Sequence, residues 1–400
     1  MVVGQFSQDV DILVIGGGPA GYTAAFRAAE LGKTVAIVDP NKTLGGECLN
    51  HACIPSKTSL LHGNTTQAIR ALGKGLEQRC NTLGIERLFG HAHFENAKTV
   101  QVTGEVVSVV RFRKAIIASG SGQRNEMNSG GAMQVEQVYE NTPNNKTILI
   151  IGNTPSAIEA ATFLCSTNTI SLWADGEILP TFNRNLVKLV ERPLSKNITI
   201  CKEMPATENF NCVFLAGHRP PETVSLHLEK ASVNCNGGFI TTDDSCQTSQ
   251  PKIYAVGECA GCKNSAALAI VQGRVAAEAA CGLDSLVDST CIPQVVWSSP
   301  ELAQCGELHD GDTVSIQWGK SGLAVALGQQ QGVTMLSFDP ESQAILGVGI
   351  VGFGATELIS EGVLALEMGA TLYDLATVVR PHPTRSEMLS EAARTALSSI

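Results

Sequence analysis

Residues 11–21 read DILVIGGGPAG, a short apolar run that leads directly into a glycine-rich turn. Such a run is typical of a buried parallel strand. Residues 22–31 have the alanine-rich composition and spacing of a helix, which Gly32 ends, and residues 34–38 form a second apolar run. The sequence therefore predicts a strand–helix–strand unit of a parallel α/β sheet.

The turn has the spacing Gly16-x-Gly18-x-x-Gly21, and an acid, Asp39, closes the second strand. Glycines let a pyrophosphate approach the start of the helix, where backbone N–H groups and the helix dipole stabilise its charge. Asp39 is placed to accept hydrogen bonds from a ribose. A structural turn alone would need only the glycines, so the distal acid and the strand–helix context favour dinucleotide binding.

A second unit of the same kind starts near Lys146. We predict its strands at Thr147–Ile151 and Thr169–Trp173, its turn at Gly152 and its helix over residues 156–165. Two such units imply two nucleotide-type domains in one chain.

Strands are also predicted at residues 100–110, 114–118 and within KIYAVGE (252–258), followed by a helix at Ala266–Ala280. From Cys291 onwards the pattern indicates a third, α+β domain, with strands Val333–Phe338 and Ile345–Val351 and helices over 355–368 and 386–397.

Composition limits the possible functions. Of the 400 residues, 44% are hydrophobic and 16% charged, which indicates globular domains, and the formal charge of −10 argues against binding to nucleic acid or anionic membranes. The sequence has neither an apolar run of about 18 residues nor the positive n-region of a secretory signal, so we expect a soluble cytoplasmic protein. The 13 cysteines are an odd number without regular spacing, so most are expected to be buried free thiols.

The pair Cys48-x4-Cys53 proves little by spacing alone, since chance should place roughly 0.4 pairs at any chosen separation in such a chain. The same reasoning makes Cys259-x-x-Cys262 incidental, although a CxxC pair can be redox-active.

The setting of the first pair is more informative. Residues 45–57 read GGECLNHACIPSK and resemble the signature GG-x-C-x4-C-[IV]-P-x-K of the class I pyridine nucleotide–disulfide oxidoreductases, which are flavoproteins. A helix start near Pro55 and the charge of Lys57 would stabilise a thiolate there. The resemblance implies that Cys48 and Cys53 form a redox-active disulfide against bound FAD.

The resemblance covers nearly the whole chain. It implies an α/β fold with two Rossmann-like domains and a C-terminal α+β dimerisation domain: an FAD-binding domain over 1–143 and 223–290, a shortened NAD(P)-binding domain over 144–222, and the dimerisation domain over 291–400. IIASGS (116–121) and KIYAVGE (252–258) resemble the family's flavin segments. The implied FAD contacts are Gly16, Gly18, Gly21, Asp39, Lys57, Ala92, Gly120, Glu258 and Ala266, and no metal is expected.

The last motif is HPTRSE at 382–387. Taken alone, Thr384 and Glu387 favour a capping box for the C-terminal helix. Beside the cysteine motif the segment resembles the family's HPTxSE, which implies that His382 is the acid–base, that Glu387 orients it, and that both act on the disulfide of the other subunit of a homodimer.

The tail from residue 362 most resembles the dihydrolipoamide dehydrogenases, the E3 components of 2-oxo acid dehydrogenase complexes. This implies that dihydrolipoamide loses a proton to His382 and attacks Cys48, that Cys53 is left as a thiolate against FAD, and that NAD receives the electrons. Lys57 and Glu159 would form an ion pair beside the flavin, and the lipoyl-bearing E2 component is a candidate partner.

The nicotinamide turn departs most from the family, because Gly152-x-Thr154-x-x-Ala157 retains one of three glycines. The implied NAD contacts are Gly152, Thr154, Ala157, Glu159 and Gly217, the last within AGHRPPE (216–222), which partly resembles the family's GRxPN. Asp175 follows the next strand and no arginine is near it, which favours NAD over NADP.

Two alternatives stay open. One is an NAD(P)H-dependent disulfide reductase resembling mercuric reductase. The other is a flavoprotein without turnover that serves as a binding subunit or redox sensor, because the nicotinamide turn is altered and the chain looks shortened after Leu61 and between Ile200 and Asn211.

Overall fold

The computed structural model describes residues 6–104, 108–122, 131–217, 219–262, 265–308 and 313–399. The chain forms two compact units. The first comprises Met1–Asn128 and His218–Asp288, and the second comprises Ser129–Gly217 and Ser289–Ile400.

The strands are β1 Phe6–Ile15, β2 Val35–Asp39, β3 Glu86–Phe89, β4 His91–Asn96, β5 Thr99–Thr103, β6 Ser108–Ile117, β7 Met133–Gln134, β8 Thr147–Ile151, β9 Thr169–Trp173, β10 Ile198–Cys201, β11 Cys212–Leu215, β12 Cys235–Asn236, β13 Phe239–Ile240, β14 Ile253–Ala255, β15 Gln294–Val296, β16 Leu302–Gly306, β17 Thr313–Gln317, β18 Val333–Phe338 and β19 Ile345–Val351. The helices are α1 Pro19–Glu30, α2 Gly46–Asn50, α3 Cys53–Leu60, α4 Thr65–Leu83, α5 Pro155–Leu164, α6 Arg184–Leu194, α7 Ala266–Ala280, α8 Gly322–Ala326, α9 Ala355–Glu367, α10 Leu372–Thr377 and α11 Glu387–Leu397. Within the described residues, no helix is long and apolar enough to span a membrane.

The first unit is built on a sheet whose parallel part has the order β3-β2-β1-β6-β14. Strand β14 pairs with the second half of β6. Along the first half of β6 the neighbour is β5, which in turn pairs with β4 in an antiparallel meander. Helix α1 packs against α7, and their close approach requires Gly273, where a Cβ would lie 2.3 Å from the carbonyl oxygen of Ala20. The carboxyl ends of β1, β2, β6 and β14 share one edge, which is where such folds bind ligands.

The second unit contains a parallel sheet of order β10-β9-β8-β11-β7 and an antiparallel sheet of order β15-β16-β19-β18-β17. Helices α9 and α11 pack on the antiparallel sheet, and α10 packs against α11. Trp318 is fully buried in this core, and its indole N–H donates a 3.0 Å hydrogen bond to the Thr334 hydroxyl. The structure thus confirms the predicted fold class.

Most predicted elements are confirmed within one or two residues, but residues 100–110 are not one strand. They span β5 and the start of β6, which are antiparallel neighbours. Valines recur on both sides of Gly104, so the apolar pattern alone does not reveal that two strands are present. The short connection predicted between Ile200 and Asn211 is confirmed, since only a 3-10 turn, Thr207–Asn209, lies between β10 and β11.

Candidate active site

The predicted site residues divide between the two units. The first unit contains Gly16, Gly18, Gly21, Asp39, Cys48, Cys53, Lys57, Ala92, Gly120, Glu258 and Ala266. The second contains Gly152, Thr154, Ala157, Glu159, Gly217, His382 and Glu387.

The glycine-rich turn of the first unit leads from β1 into α1. Gly16 has φ = +104°, and a Cβ there would lie 2.2 Å from the carbonyl oxygen of Ala118. At Gly21 a Cβ would lie 1.9 Å from the carbonyl oxygen of Gly16. Gly18 is the N-cap of α1 and provides no side-chain cap, so the N–H groups of the first turn are open to a phosphate.

Asp39 ends β2 and is buried. Its Oδ2 accepts a 2.6 Å hydrogen bond from the Gly17 N–H, and its Oδ1 accepts one of 2.7 Å from the Asn41 N–H. A carboxylate has about four acceptor positions, so both oxygens can still accept from a ribose. Asp39 therefore also fixes the turn that it was predicted only to flank.

The two cysteines lie on consecutive short helices. Gly45 and Gly46, at the start of α2, have φ values of +109° and +54°, a region that glycine adopts at little cost. Cys53 is the first residue of α3, where the helix dipole stabilises a thiolate. Cys48 and Cys53 are partly buried free thiols in this structure.

The groups that shift the pKa of Cys48 show which charges lie near the two thiols. A hydrogen bond with Cys53 raises the pKa of Cys48 well above its usual value, burial raises it further, and the ammonium of Lys57 opposes both. The carboxylate of Glu258 also raises this pKa. Burial, and then the charges of the two cysteines, raise the pKa of Tyr22. Cys48, Cys53, Lys57, Glu258 and Tyr22 therefore form one cluster, of which Tyr22 was not predicted.

Glu258 lies in a 3-10 turn, Gly257–Ala260, that follows β14. The Ser121 hydroxyl donates a hydrogen bond to Glu258 Oε2. Gly120, just before it, has φ = +74°. Because β14 and β6 are parallel neighbours, these residues lie at the same sheet edge as the glycine-rich turn.

Two further predicted contacts have less distinctive surroundings. Ala92 is buried within β4, and its side chain belongs to a hydrophobic core cluster. Ala266 is the first residue of α7, whose N-cap Ser265 accepts a hydrogen bond from the Leu268 N–H. Their contacts with FAD stay predictions.

Sequence reasoning also missed an ion pair next to Cys48. Arg219 Nη1 lies 3.0 Å from Glu47 Oε1, and the arginine side chain is nearly buried. The Glu47 carbonyl oxygen accepts from the N–H groups of His51 and Ala52, which shape the loop between the two cysteines. Arg219 belongs to the AGHRPPE segment that was compared with GRxPN, but no sequence pattern links it to Glu47.

The nicotinamide-type turn of the second unit keeps its first glycine for a steric reason. Gly152 has φ = +148°, and a Cβ there would lie 1.8 Å from the Ala216 carbonyl oxygen. Thr154 is the N-cap of α5, and its hydroxyl shares a 2.9 Å hydrogen bond with the Ser156 hydroxyl. Ala157 is fully buried. The turn is thus formed, with a side chain where the family has its second glycine.

Glu159 and Gly217 complete the predicted nicotinamide residues. Glu159 is buried in α5, and its Oε1 accepts a 3.1 Å hydrogen bond from the Trp297 N–H. Gly217 lies two residues beyond the end of β11. The ion pair of Glu159 with Lys57 stays a prediction.

His382 and Glu387 are brought together at the start of α11. The imidazole Nδ1 and Glu387 Oε1 share a 2.8 Å hydrogen bond, and Glu387 Oε2 accepts one of 2.8 Å from the Thr384 N–H. These bonds lower the pKa of the Glu387 carboxyl, the histidine contributing most. The carboxylate therefore both orients the imidazole and caps the backbone. The Thr384 hydroxyl bonds to the Pro381 carbonyl and the Ser386 hydroxyl.

The residues of the first unit fit FAD. The Gly16–Gly21 turn leaves room for a pyrophosphate at an open helix start, Asp39 and Glu258 present carboxylates for hydroxyl groups, and the cysteine pair lies in the same cluster as Glu258. Lys57, which acts electrostatically on Cys48, supplies a positive charge there.

The comparisons with known proteins match this architecture. The family "Pyridine nucleotide-disulphide oxidoreductase" matches residues 10–208 and 199–276, and its dimerisation domain matches residues 292–393. The dihydrolipoyl dehydrogenase of Geobacillus stearothermophilus is 31% identical, over 99% of this chain and 98% of that protein. The dihydrolipoyl dehydrogenase of Thermus scotoductus is 32% identical over 96% of each chain.

Solved structures show the same fold at lower identity. The HOCl-induced flavoprotein disulfide reductase RclA of Escherichia coli, in its Cu(II) complex, has a TM-score of 0.86 at 20% identity, over 97% of this chain and 99% of that one. LpdA of Mycobacterium tuberculosis has a TM-score of 0.86 at 20% identity, with coverages of 96% and 99%.

Proposed function

The chain belongs to the pyridine nucleotide-disulphide oxidoreductase family, as an FAD-dependent disulfide oxidoreductase, and we propose that it oxidises dihydrolipoamide with NAD as the acceptor. The observation that carries the proposal is the pair of hydrogen-bonded thiols on which the charges of Lys57 and Glu258 both act. The same chain also holds a carboxylate-oriented histidine in the HPTRSE segment. The names of the relatives indicate the dithiol substrate.

The chain's own groups would perform the dithiol chemistry. His382 removes a proton from one substrate thiol, and the resulting thiolate attacks Cys48 of the Cys48–Cys53 disulfide. The S–S bond breaks, Cys53 leaves as a thiolate, and a mixed disulfide joins the substrate to Cys48. The second substrate thiol then displaces Cys48, which releases the oxidised substrate and leaves a reduced cysteine pair.

FAD, when bound, supplies two-electron transfer between this reduced pair and a pyridine nucleotide. Lys57 and the dipole of α3 stabilise the thiolate of Cys53 during this transfer, since both place positive potential at the start of that helix.

NAD is favoured over NADP because β9 is followed by Ala174 and Asp175. Ala174 occupies the position that usually carries the acid in NAD enzymes, Asp175 follows it, and no arginine is near in the sequence to hold a 2′-phosphate.

The dimerisation domain supports a homodimer. We infer further that His382 acts on the disulfide of the second copy, that the lipoyl-bearing E2 component of a 2-oxo acid dehydrogenase complex is a partner, and that the protein is cytoplasmic. The family resemblance supports the first two statements, and the sequence composition supports the third.

One experiment tests the proposal. The purified protein should show an oxidised flavin spectrum and should reduce NAD when dihydrolipoamide is added. A long-wavelength charge-transfer band between a cysteine thiolate and the oxidised flavin should appear once the enzyme has taken up two electrons. A colourless protein that takes up no added FAD would contradict the flavin assignment. If dihydrolipoamide reduces the flavin but neither NAD nor NADP reoxidises it, the redox-sensor alternative, which the altered turn at Thr154 motivates, replaces the proposal.

A further inference from the structure

The segment that carries His382 runs from Val378 to Ser386, between α10 and α11. Its side chains are largely exposed: Val379 is 92% exposed, and the side chain of His382 is 79% exposed. An exposed loop of this kind has few apolar contacts to hold it, so something else must fix the direction of the imidazole.

Arg380 differs from its neighbours in the sequence, because its side chain is only 5% exposed. Its Nη2 forms an ion pair with Glu361 of α9. Its Nη1 donates a 2.9 Å hydrogen bond to the Leu375 carbonyl oxygen of α10 and another to the Ser390 hydroxyl of α11. One planar guanidinium therefore joins three helices, two residues before His382.

The acceptors of Arg380 are themselves fixed. Ser390 is buried, and its hydroxyl donates a 2.9 Å hydrogen bond to the same Leu375 carbonyl oxygen. Leu375 is buried too. A lysine ammonium at position 380 would lack the planar fork with which the guanidinium holds all of these partners in one geometry.

The far end of the segment is held by different contacts. Arg385 stacks on the Phe353 ring at 4.8 Å and donates to Gln329. The Glu387 carboxylate accepts a hydrogen bond from the Thr384 N–H. His382 thus lies between two fixed ends, and Arg380 forms the end on its N-terminal side.

We propose that Arg380 is a positioning residue for His382, which it serves by fixing the backbone on the N-terminal side of the imidazole without touching the substrate. The inference rests on the proposed function, in which His382 takes the proton of the dithiol. Loss of the anchor should therefore slow proton transfer, while electron transfer from NADH through the flavin should be spared.

The test compares Arg380→Gln, Arg380→Lys and the wild-type holoenzyme. Arg394→Gln is the matched control, since Arg394 is an exposed arginine of α11 paired with Glu391. Two activities are measured: dihydrolipoamide oxidation, which needs His382, and reduction of ferricyanide by NADH, which bypasses the dithiol step. Amide hydrogen exchange of peptides covering residues 378–386 reports the order of the segment.

We expect Arg380→Gln to lower the kcat of dihydrolipoamide oxidation by about tenfold, with ferricyanide reduction within about twofold of wild type. Arg380→Lys should recover part of the loss, and Arg394→Gln should match wild type. Amide hydrogen exchange of residues 378–386 should be faster than in the wild type only in the Arg380 variants. If Arg380→Gln does not fold, Ser390→Ala removes one anchor contact and should show a smaller loss in the same activity.

Equal losses of both activities, or an unchanged kcat for dihydrolipoamide, would overturn the inference. A wild-type enzyme that oxidises no dihydrolipoamide would instead contradict the proposed function. In that case the exchange measurement alone decides about Arg380: faster exchange of residues 378–386 supports the anchor, and unchanged exchange overturns it.

Discussion

Cys48 and Cys53 share one hydrogen bond, so their ionisations are linked. When one thiol has lost its proton, the charge opposes loss of the second, and burial adds to this opposition. The raised pKa of Cys48 means that this thiol keeps its proton near neutral pH. The start of α3 favours Cys53 as the residue that carries the negative charge when the reduced pair loses a proton.

This arrangement predicts distinct roles for the two sulfurs. Cys48→Ser should lower dihydrolipoamide oxidation by at least about a thousandfold, since the sulfur that the substrate attacks is gone. FAD should stay bound, because the glycine-rich turn and Glu258 are unchanged. Steady-state turnover and the flavin absorbance of the purified variant measure the two effects. Cys235→Ser, at an exposed thiol, is the control and should keep full activity. Loss of FAD from Cys48→Ser would show that Cys48 has a structural role instead.

The same variant tests whether the site is shared between subunits. Chains carrying Cys48→Ser and chains carrying His382→Gln should each be inactive, but a heterodimer would contain one site with both native residues. Mixing the two after reversible dissociation should restore part of the activity. Heterodimers that are confirmed by mass and remain inactive would show that the two residues act within one chain.

At the scale of elements, sequence periodicity predicted the regular parts well. The bounds of Thr147–Ile151, Thr169–Trp173 and Ala266–Ala280 agree with the structure, because each has a uniform apolar or alanine-rich composition with polar or glycine residues at its ends. Helix α4 was not predicted, since most of its residues are exposed and give little apolar pattern. The Glu47–Arg219 ion pair and the Arg380 anchor were not predictable either. Both join segments that are distant in sequence, and no local spacing encodes them.

The nicotinamide turn gives a prediction at this scale. The second glycine of such turns allows a pyrophosphate to approach the backbone, and here Thr154 occupies that position. Thr154→Gly should therefore tighten NADH binding by about three- to tenfold. The dissociation constant measured by calorimetry checks this. Thr207→Gly, in an exposed 3-10 turn of the same unit, is the control and should bind NADH like wild type. Equal affinities of Thr154→Gly and wild type would show that this side chain does not limit binding.

At the scale of the whole molecule, the chain is a compact version of its relatives. The alignment with the Geobacillus stearothermophilus protein runs over 468 positions, and this chain has 400 residues, so at least 68 positions have no residue here. The connection between β10, which ends at Cys201, and β11, which starts at Cys212, is short, as expected from the sequence. Both nucleotide-type sheets nevertheless retain their parallel order.

The cysteines outside the active site also act on the whole molecule, through stability. The 13 cysteines are all free thiols, as was expected for most of them, but the expectation that most of them are buried is wrong, because only five are buried: Cys80, Cys246, Cys259, Cys262 and Cys305. Burial raises the pKa of Cys246 to about 12, that of Cys262 to about 11 and that of Cys305 to about 12. These thiols behave as small apolar core residues, including both members of the CxxC pair.

Raised thiol pKa values predict a loss of stability at alkaline pH. In the unfolded chain a thiol has a pKa of about 8.5, whereas in the folded protein the pKa is about 12 for Cys246, about 11 for Cys262 and about 12 for Cys305. Their contribution to the free energy of unfolding is therefore complete when the pH is below the pKa of the unfolded chain. It is lost as the pH rises towards the pKa of the folded protein. For each buried thiol, the free energy of unfolding should fall by about 1–2 kcal/mol when the pH rises from about 7.5 to about 10.

The measurement is the urea midpoint at these two pH values with a reductant present. The midpoint of the wild type should be lower at the higher pH. The midpoint of Cys305→Ala should start lower but should fall by less, because this variant has one buried thiol fewer to ionise on unfolding. Cys201→Ala, at a partly buried thiol of the edge strand β10, should lose as much as wild type. If Cys305→Ala and wild type show the same drop, ionisation of buried thiols is not the cause of the alkaline loss.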